Sequence, residues 1–228
     1  MIRETSINQP GKLFVLIDRG TFSAAVNAAA DLEYLTNSIF IGEPTAGAPS
    51  SWGDPKRVIL PNSGLVARLS SVYWRDSTPD ASRQAVTPDI PTPLSSVDYF
   101  AGRDPALEAA NRFPQQSGLG DVLENVLKSG GGLGSLQRLY TQRKSDPAWA
   151  DESTQEGLQR LGTFLISRKL YQGAFLTFAA NMREYPDSMA AAIQAAETAQ
   201  AQDPNDNGIA DLVKQLSALR GRRQDTRP

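Results

Sequence analysis

"GTFSAAVNAA", residues 20–29, follows directly on the apolar run "LFVLID" (13–18), and its reading decides the fold. The run is continuous and of buried-strand length. "RGT" (19–21) then turns the chain. From Ser23 onward, Ala25, Ala28, Ala29, Leu32 and Leu35 recur at helical spacing. "SIFIG" (38–42) is a second short apolar run. Strand, helix and strand joined by short links form a βαβ unit, so the two strands are expected to be parallel with a right-handed crossover.

The chain continues in two compositional halves. "EPTAGAPSSWGDP" (43–55) reads as a loop, dense in Gly, Pro and Ser. "RVIL" and "LVARLSSVYW" flank "PNSG" and read as a hairpin. "TPDIPTPLS" is extended and broken by prolines, which suits a sheet edge or a surface strap. "DPALEAANRF" predicts a short helix with Asp104 as N-cap and Pro105 at its first position. "RFPQQSGLG" then reads as a linker. Beyond it, Ala, Leu, Gln and charge dominate, and residues 118–221 are expected to be almost wholly helical. Leu136, Leu139 and Tyr140 share one helix face; Leu158, Leu161, Leu165 and Ile166 share another; Ala174, Phe175, Phe178 and Met182 share a third. Phe164, Tyr171, Phe175 and Phe178 read as core. The stops "YPDS" and "DPND" recur after helices of similar length, as in a helical-hairpin repeat. The tail "RGRRQDTRP" is expected to be disordered. The domains are therefore placed at 1–112 and 118–221, with 222–228 as tail.

Composition narrows the chemistry. The formal net charge is −2, with no basic block, so nucleic acid and anionic membrane are not expected partners. No apolar run is long enough to span a bilayer, and the polar start "MIRETSINQPGK" has no signal-peptide core. Cysteine is absent, which removes disulfides, thiolate metal sites and cysteine nucleophiles. Histidine is absent too, so no complete Ser-His-Asp triad exists within these residues. No cofactor or metal is expected. "GEPTAG" lacks the lysine of a phosphate loop. Asp203, Asn205 and Asn207 space like calcium ligands, but the closing glutamate is missing, and a helix-to-helix turn explains them.

Ser23 has two readings on local grounds. Serine is a favoured N-cap, although Val26 stands where a capping box needs Glu or Gln. A serine at the bend between a parallel strand and a helix also presents its hydroxyl at the carboxyl end of the sheet, where open α/β folds bind ligands. The N–H of Ala24 at the helix N-terminus could then hold an oxyanion.

Five ordered segments carry a resemblance: "VLIDRGTFSAA", "IFIGEPTAGAP", "GDPKRVILPNSGLVARLSSVYW", "VTPDIP" and "YFAGRDPALEAA". Together, over about residues 10–112, they resemble the C-terminal half of the catalytic domain of the tail-specific, or C-terminal-processing, serine proteases. The similarity is closer to the branch of the tricorn core and the interphotoreceptor retinoid-binding modules. It implies a crotonase/ClpP-like α/β half-domain and a chain that begins mid-fold. It also implies Ser23 as nucleophile, Ala24 as an oxyanion N–H donor and a peptide or protein substrate. Export of the parent protein would follow. Ala48 stands where one branch has its catalytic lysine. The other branch's histidine and second oxyanion donor come from upstream. The aligned acidic position falls near Ser82, with Asp80 the nearest carboxylate; Asp80 also reads simply as a turn residue after Pro79. "LQRLGTFLISRKLYQGAFLTFAANMREYPDS" resembles a tetratricopeptide-like tail, as found behind some bacterial exported hydrolases, with Gly162 and Ala174 at the close-packed positions. Such a half would serve as a protein-interaction module. The resemblance implies a serine-type peptidase lacking its upstream base. The alternatives are a catalytically silent peptide-binding relative and a binder of small apolar ligands.

Overall fold

The computed structural model describes residues 2–8, 11–76, 82–114, 119–144 and 154–224. It is a mixed α/β chain whose contacts divide it into two compact units, Met1–Gln115 with Ser129–Ser135, and Gln116–Lys128 with Leu136–Pro228.

In the first unit, β1 (Phe14–Ile17), α1 (Ala24–Leu35) and β2 (Ile39–Gly42) form the βαβ element. The strands are parallel, with Phe14 opposite Ile39 and Ile17 opposite Gly42. A short third strand, β5 (Ile90–Pro91), pairs parallel with β2 and closes the order β1-β2-β5. Pro91 is tolerated because β5 is an edge. Side chains alternate across the sheet. Val15, Ile17 and Phe40 pack with Val26, Ala29, Ala30 and Leu32 of α1, and with Val86. On the other face Phe14 meets Phe113 edge-on at 5.4 Å, just past α3 (Pro105–Arg112). The Asp104 carboxylate caps α3, accepting from the Leu107 N–H at 3.0 Å.

Asp89, just before β5, is buried and accepts from the Phe40 N–H at 2.9 Å, while its own N–H donates to the Phe40 carbonyl at 2.8 Å. One aspartate thus extends the ladder where the edge strand is only two residues long.

The segment 43–55 is not all loop. β3 begins at Ser51 and runs to Ile59, pairing antiparallel with β4 (Val66–Trp74) as a two-stranded ribbon. Glycine, aspartate and proline disguise its first half. Asp54 takes φ 48°, and its carbonyl is satisfied by the Ser71 hydroxyl at 2.7 Å. A short helix, α2 (Ser96–Phe100), follows directly on the extended "TPDIPTPLS" stretch, over residues for which no element was expected; Ser95 caps it, accepting from the Asp98 N–H at 3.1 Å.

The second unit is helical in its described residues. α4 (Leu119–Lys128) and α5 (Leu133–Lys144) precede α6 (Thr154–Ser167), α7 (Tyr171–Glu184), α8 (Met189–Gln202) and α9 (Asn207–Gln224). α6 pairs with α7, and α8 with α9. Leu158, Leu161, Leu165, Ala174, Phe178, Met182, Ala192, Ala196, Leu212 and Leu216 are buried. Gly162 lies under the Phe178 ring, where a β-carbon would come within 2.3 Å of it. Gly120 and Gly157 bring α4 and α6 backbone to backbone. Of the four aromatics expected in the core, only Phe178 is fully buried; Phe164, Tyr171 and Phe175 are half-buried. Phe164 lies beneath the Lys128 ammonium, 5.3 Å from its ring centre. α9 runs to Gln224, so the basic tail is helical further than expected, and residues 225–228 lie outside the described set.

The link between α6 and α7 shows how a turn is fixed. Lys169 takes φ 58° and closes α6: its N–H donates to the Ile166 carbonyl at 2.8 Å, and that of Leu170 to the Leu165 carbonyl at 2.9 Å. This is a Schellman closure with lysine in the place usually held by glycine. Its ammonium reaches Asp206 at 3.0 Å, which also accepts from the Tyr171 hydroxyl at 2.7 Å. Asp206 caps α9 through the N–H groups of Gly208 and Ile209 at 2.9 and 3.3 Å. The "DPNDNG" turn is therefore organised by Asp206.

The Tyr171 hydrogen bond, then the Lys169 one, hold the Asp206 carboxyl down at about 2, below its ordinary value. Its contribution to stability is present above the unfolded carboxyl's titration near 4. It is lost as pH falls through about 2. Denaturant melts at the two ends of this window are expected to show a larger acid loss for the parent chain than for Asp206→Asn. Equal losses would mean the carboxylate is not selectively stabilised in the fold.

Candidate active site

The site is built at the carboxyl end of β1. The bend between β1 and α1 is held by Asp18, whose carboxylate accepts from the Gly20 N–H at 2.8 Å and the Thr21 hydroxyl at 3.3 Å. The Thr21 N–H closes the turn onto the Asp18 carbonyl at 3.0 Å. Arg19 grips Glu43 across the ends of the two strands, with nitrogen-oxygen separations of 3.1 and 3.2 Å. The Ala46 N–H donates to the Thr21 carbonyl at 3.0 Å, and Gly47 lies against the Phe22 ring. Thr45 fixes the same loop, donating to the Gly47 carbonyl at 3.0 Å and accepting from the Val86 N–H at 3.0 Å. "GEPTAG" is thereby packed on the bend.

Ser23 occupies the N-cap position of α1 with φ 57° and ψ −129°. A non-glycine residue here carries strain, of about 1–3 kcal/mol at such sparsely populated geometries. Its hydroxyl makes no cap hydrogen bond, so the ordinary cap reading does not describe it. Its carbonyl still starts the helix, accepting from the Val26 N–H at 2.9 Å. Ser23 and Ala24 are both exposed. The Ala24 N–H makes no backbone hydrogen bond to a described residue, which leaves a donor at the positive end of a helix dipole.

The strain can be measured. Ser23→Gly relieves the φ penalty, whereas Ser23→Ala retains it. The glycine variant is expected to be more stable than the alanine variant by about 1 kcal/mol or more. Equal melts would mean the bend is relaxed in solution.

The other expected site residues fall differently. Asp80 lies outside the described residues. Ala48 sits in the loop packed on the bend and offers no base. Near the aligned acidic position the structure instead has Arg83. Its Nε donates to Asp76 at 2.7 Å, its Nη1 donates to Glu33 of α1, and its Nη2 is buried with no hydrogen-bond partner among the described residues. Sequence reasoning missed this cluster: Arg83 and Glu33 are 50 residues apart, and no local pattern announces them. Asp89 was missed because "TPDIP" reads only as extended chain.

An exposed serine on a strained bend from parallel strand to helix, with an N–H donor one residue on, has the architecture of a nucleophile elbow. Residues 2–92 match the sequence model of Peptidase family S41, over less than half of the chain. That segment holds the whole βαβ element, the ribbon and β5, and the match supports a serine peptidase family member acting on peptide or protein. No curated protein and no solved structure matches the chain. Among the described residues no helix is long and apolar enough to cross a membrane.

Proposed function

We propose that this chain carries the nucleophile of a serine-type peptidase of the tail-specific kind. In this reading the Ser23 hydroxyl attacks a peptide carbonyl, and the Ala24 N–H donates to the developing oxyanion. The observation that carries the reading is the Ser23 backbone, φ 57° and ψ −129°, on a hydroxyl not engaged by the helix. A cap residue has no reason to hold that geometry, whereas a nucleophile gains a fixed position from it. The base is a histidine from outside these 228 residues, since none lies within them and Ala48 takes the place of a lysine. Asp80 is the candidate acidic member of the constellation. The fold expected for residues 1–112 is the crotonase/ClpP-like one, in the branch of the tricorn core and retinoid-binding modules. Residues 118–221 form a tetratricopeptide-like module that recruits a protein partner, supported by the paired helices and the Gly162–Phe178 contact. Export of the parent protein accompanies this reading.

A second reading is supported by the missing histidine: a silent relative that binds peptides and does not cut them. Peptide hydrolysis separates the two. The chain preceded by its natural upstream sequence is expected to cleave an unstructured protein such as casein, and Ser23→Ala is expected to abolish cleavage. Peptide binding without cleavage in the extended chain would favour the silent relative.

A further inference from the structure

The ribbon of β3 and β4 presents apolar side chains to solvent on both faces: Trp52, Leu69 and Tyr73 on one, Ile59, Val66 and Trp74 on the other. An isolated two-stranded ribbon is marginal in water, so what can cover this one matters. Its two edges differ. Pro55 lacks an N–H and pairs opposite Ser70; such a pair exchanges no ladder hydrogen bonds, and its backbone groups point outward. The Leu60 N–H donates to the Leu65 carbonyl at 2.9 Å, which sets the same alternation from the turn end. The outer edge of β3 is therefore interrupted by Pro55 and bent by Asp54. The outer edge of β4 contains no proline and offers the N–H and C=O groups of Val66, Arg68, Ser70 and Val72.

The same alternation makes Arg57 and Arg68, directly opposite each other, a closely spaced pair. Like charges so placed repel. Both are exposed, and neither has an ion pair among the described residues. Apolar Ile59 and Val66 lie next along the same face.

We propose that the outer edge of β4 takes up an extended peptide segment as a third strand, with a carboxylate of that segment seated on Arg57 and Arg68 beside the apolar pair Ile59 and Val66. Strand addition satisfies the open edge through main-chain hydrogen bonds, and alternate side chains give the selectivity. A second copy of β4 does not complete this face, because "VARLSSVYW" contains no carboxylate and brings another arginine. The surface goes beyond the Ser23 reading and does not depend on it.

The test uses fluorescence anisotropy with the full chain and two capped, labelled peptides. Both place threonine on one face; the other face carries valine, glutamate and valine, or valine, lysine and valine. The glutamate peptide is expected to bind roughly tenfold more tightly. The double variant Arg57→Glu, Arg68→Glu is expected to invert that preference, a gain that misfolding cannot produce. Ser70→Pro removes one outward N–H without touching an internal ladder bond, as Pro55 does opposite. It is expected to weaken binding by about three- to tenfold. Equal binding of the two peptides, or no effect of Ser70→Pro, overturns the proposal. Self-association of the chain that Ser70→Pro abolishes, with no peptide bound, also overturns it and gives the edge to a second copy.

Discussion

Gly42→Ala is expected to unfold the first unit or to cost it about 4 kcal/mol or more, the range reserved for backbone collisions and comparable faults. Gly42 ends β2 at φ 129°, a region that residues with a β-carbon rarely enter. A β-carbon there would stand 1.9 Å from the Ile17 carbonyl oxygen. That oxygen belongs to the neighbouring strand and accepts from the Glu43 N–H at 2.9 Å, so it cannot swing aside without opening the ladder. The same crowding brings the carboxyl ends of β1 and β2 together beneath the Ser23 bend. Near-UV circular dichroism and denaturant melts of the variant measure the effect. A cooperative melt within 1 kcal/mol of the parent would mean the strands do not approach as described.

Phe178→Ala is expected to destabilise the second unit by about 3–5 kcal/mol. The ring is fully buried and lies on Gly162, the one residue type that leaves room for it. Deleting it opens a cavity between α6 and α7 that rigid helix backbones cannot close. A loss below 1 kcal/mol would show that the face does not pack around this ring.

The contrast between these two glycines shows what the sequence conveys. "IFIG" was legible as a parallel strand because all four of its residues are buried, which leaves an uninterrupted apolar run; "LFVLID" shows the same run although Leu16 is exposed and Phe14 and Val15 are half-buried. Gly162 was legible through the resemblance to tetratricopeptide-like tails, which implies a small residue where the two helices pack closely. The first half of β3 was not: its glycine, aspartate and proline are loop formers, and only the edge position makes Pro55 acceptable. α2 was missed because five residues do not fill two helical turns. Phe164, Tyr171 and Phe175 were placed in the core because periodicity reports which residues share a face, not how deep that face lies. At the site, the bend and its serine could be read, whereas the positive φ of Ser23 could not, since nothing local requires it of a non-glycine residue. Arg83 with Glu33 and Asp76 is a tertiary product, and Asp80 lies outside the described residues.

Covalent labelling by a fluorophosphonate, located by mass spectrometry, tests the central claim most directly. A serine hydroxyl is a weak nucleophile without a base in reach, and one missing oxyanion donor typically lowers kcat by about a hundred- to a thousand-fold. The chain alone is therefore expected to label slowly, with the adduct on Ser23 ahead of every other serine. Under the proposed reading, in which the base and the second oxyanion donor come from an upstream segment, adding that segment is expected to make the same serine label rapidly, and Ser23→Ala to remove the adduct in both forms. An adduct spread evenly over the exposed serines, or none on Ser23 in the extended chain, would contradict the account.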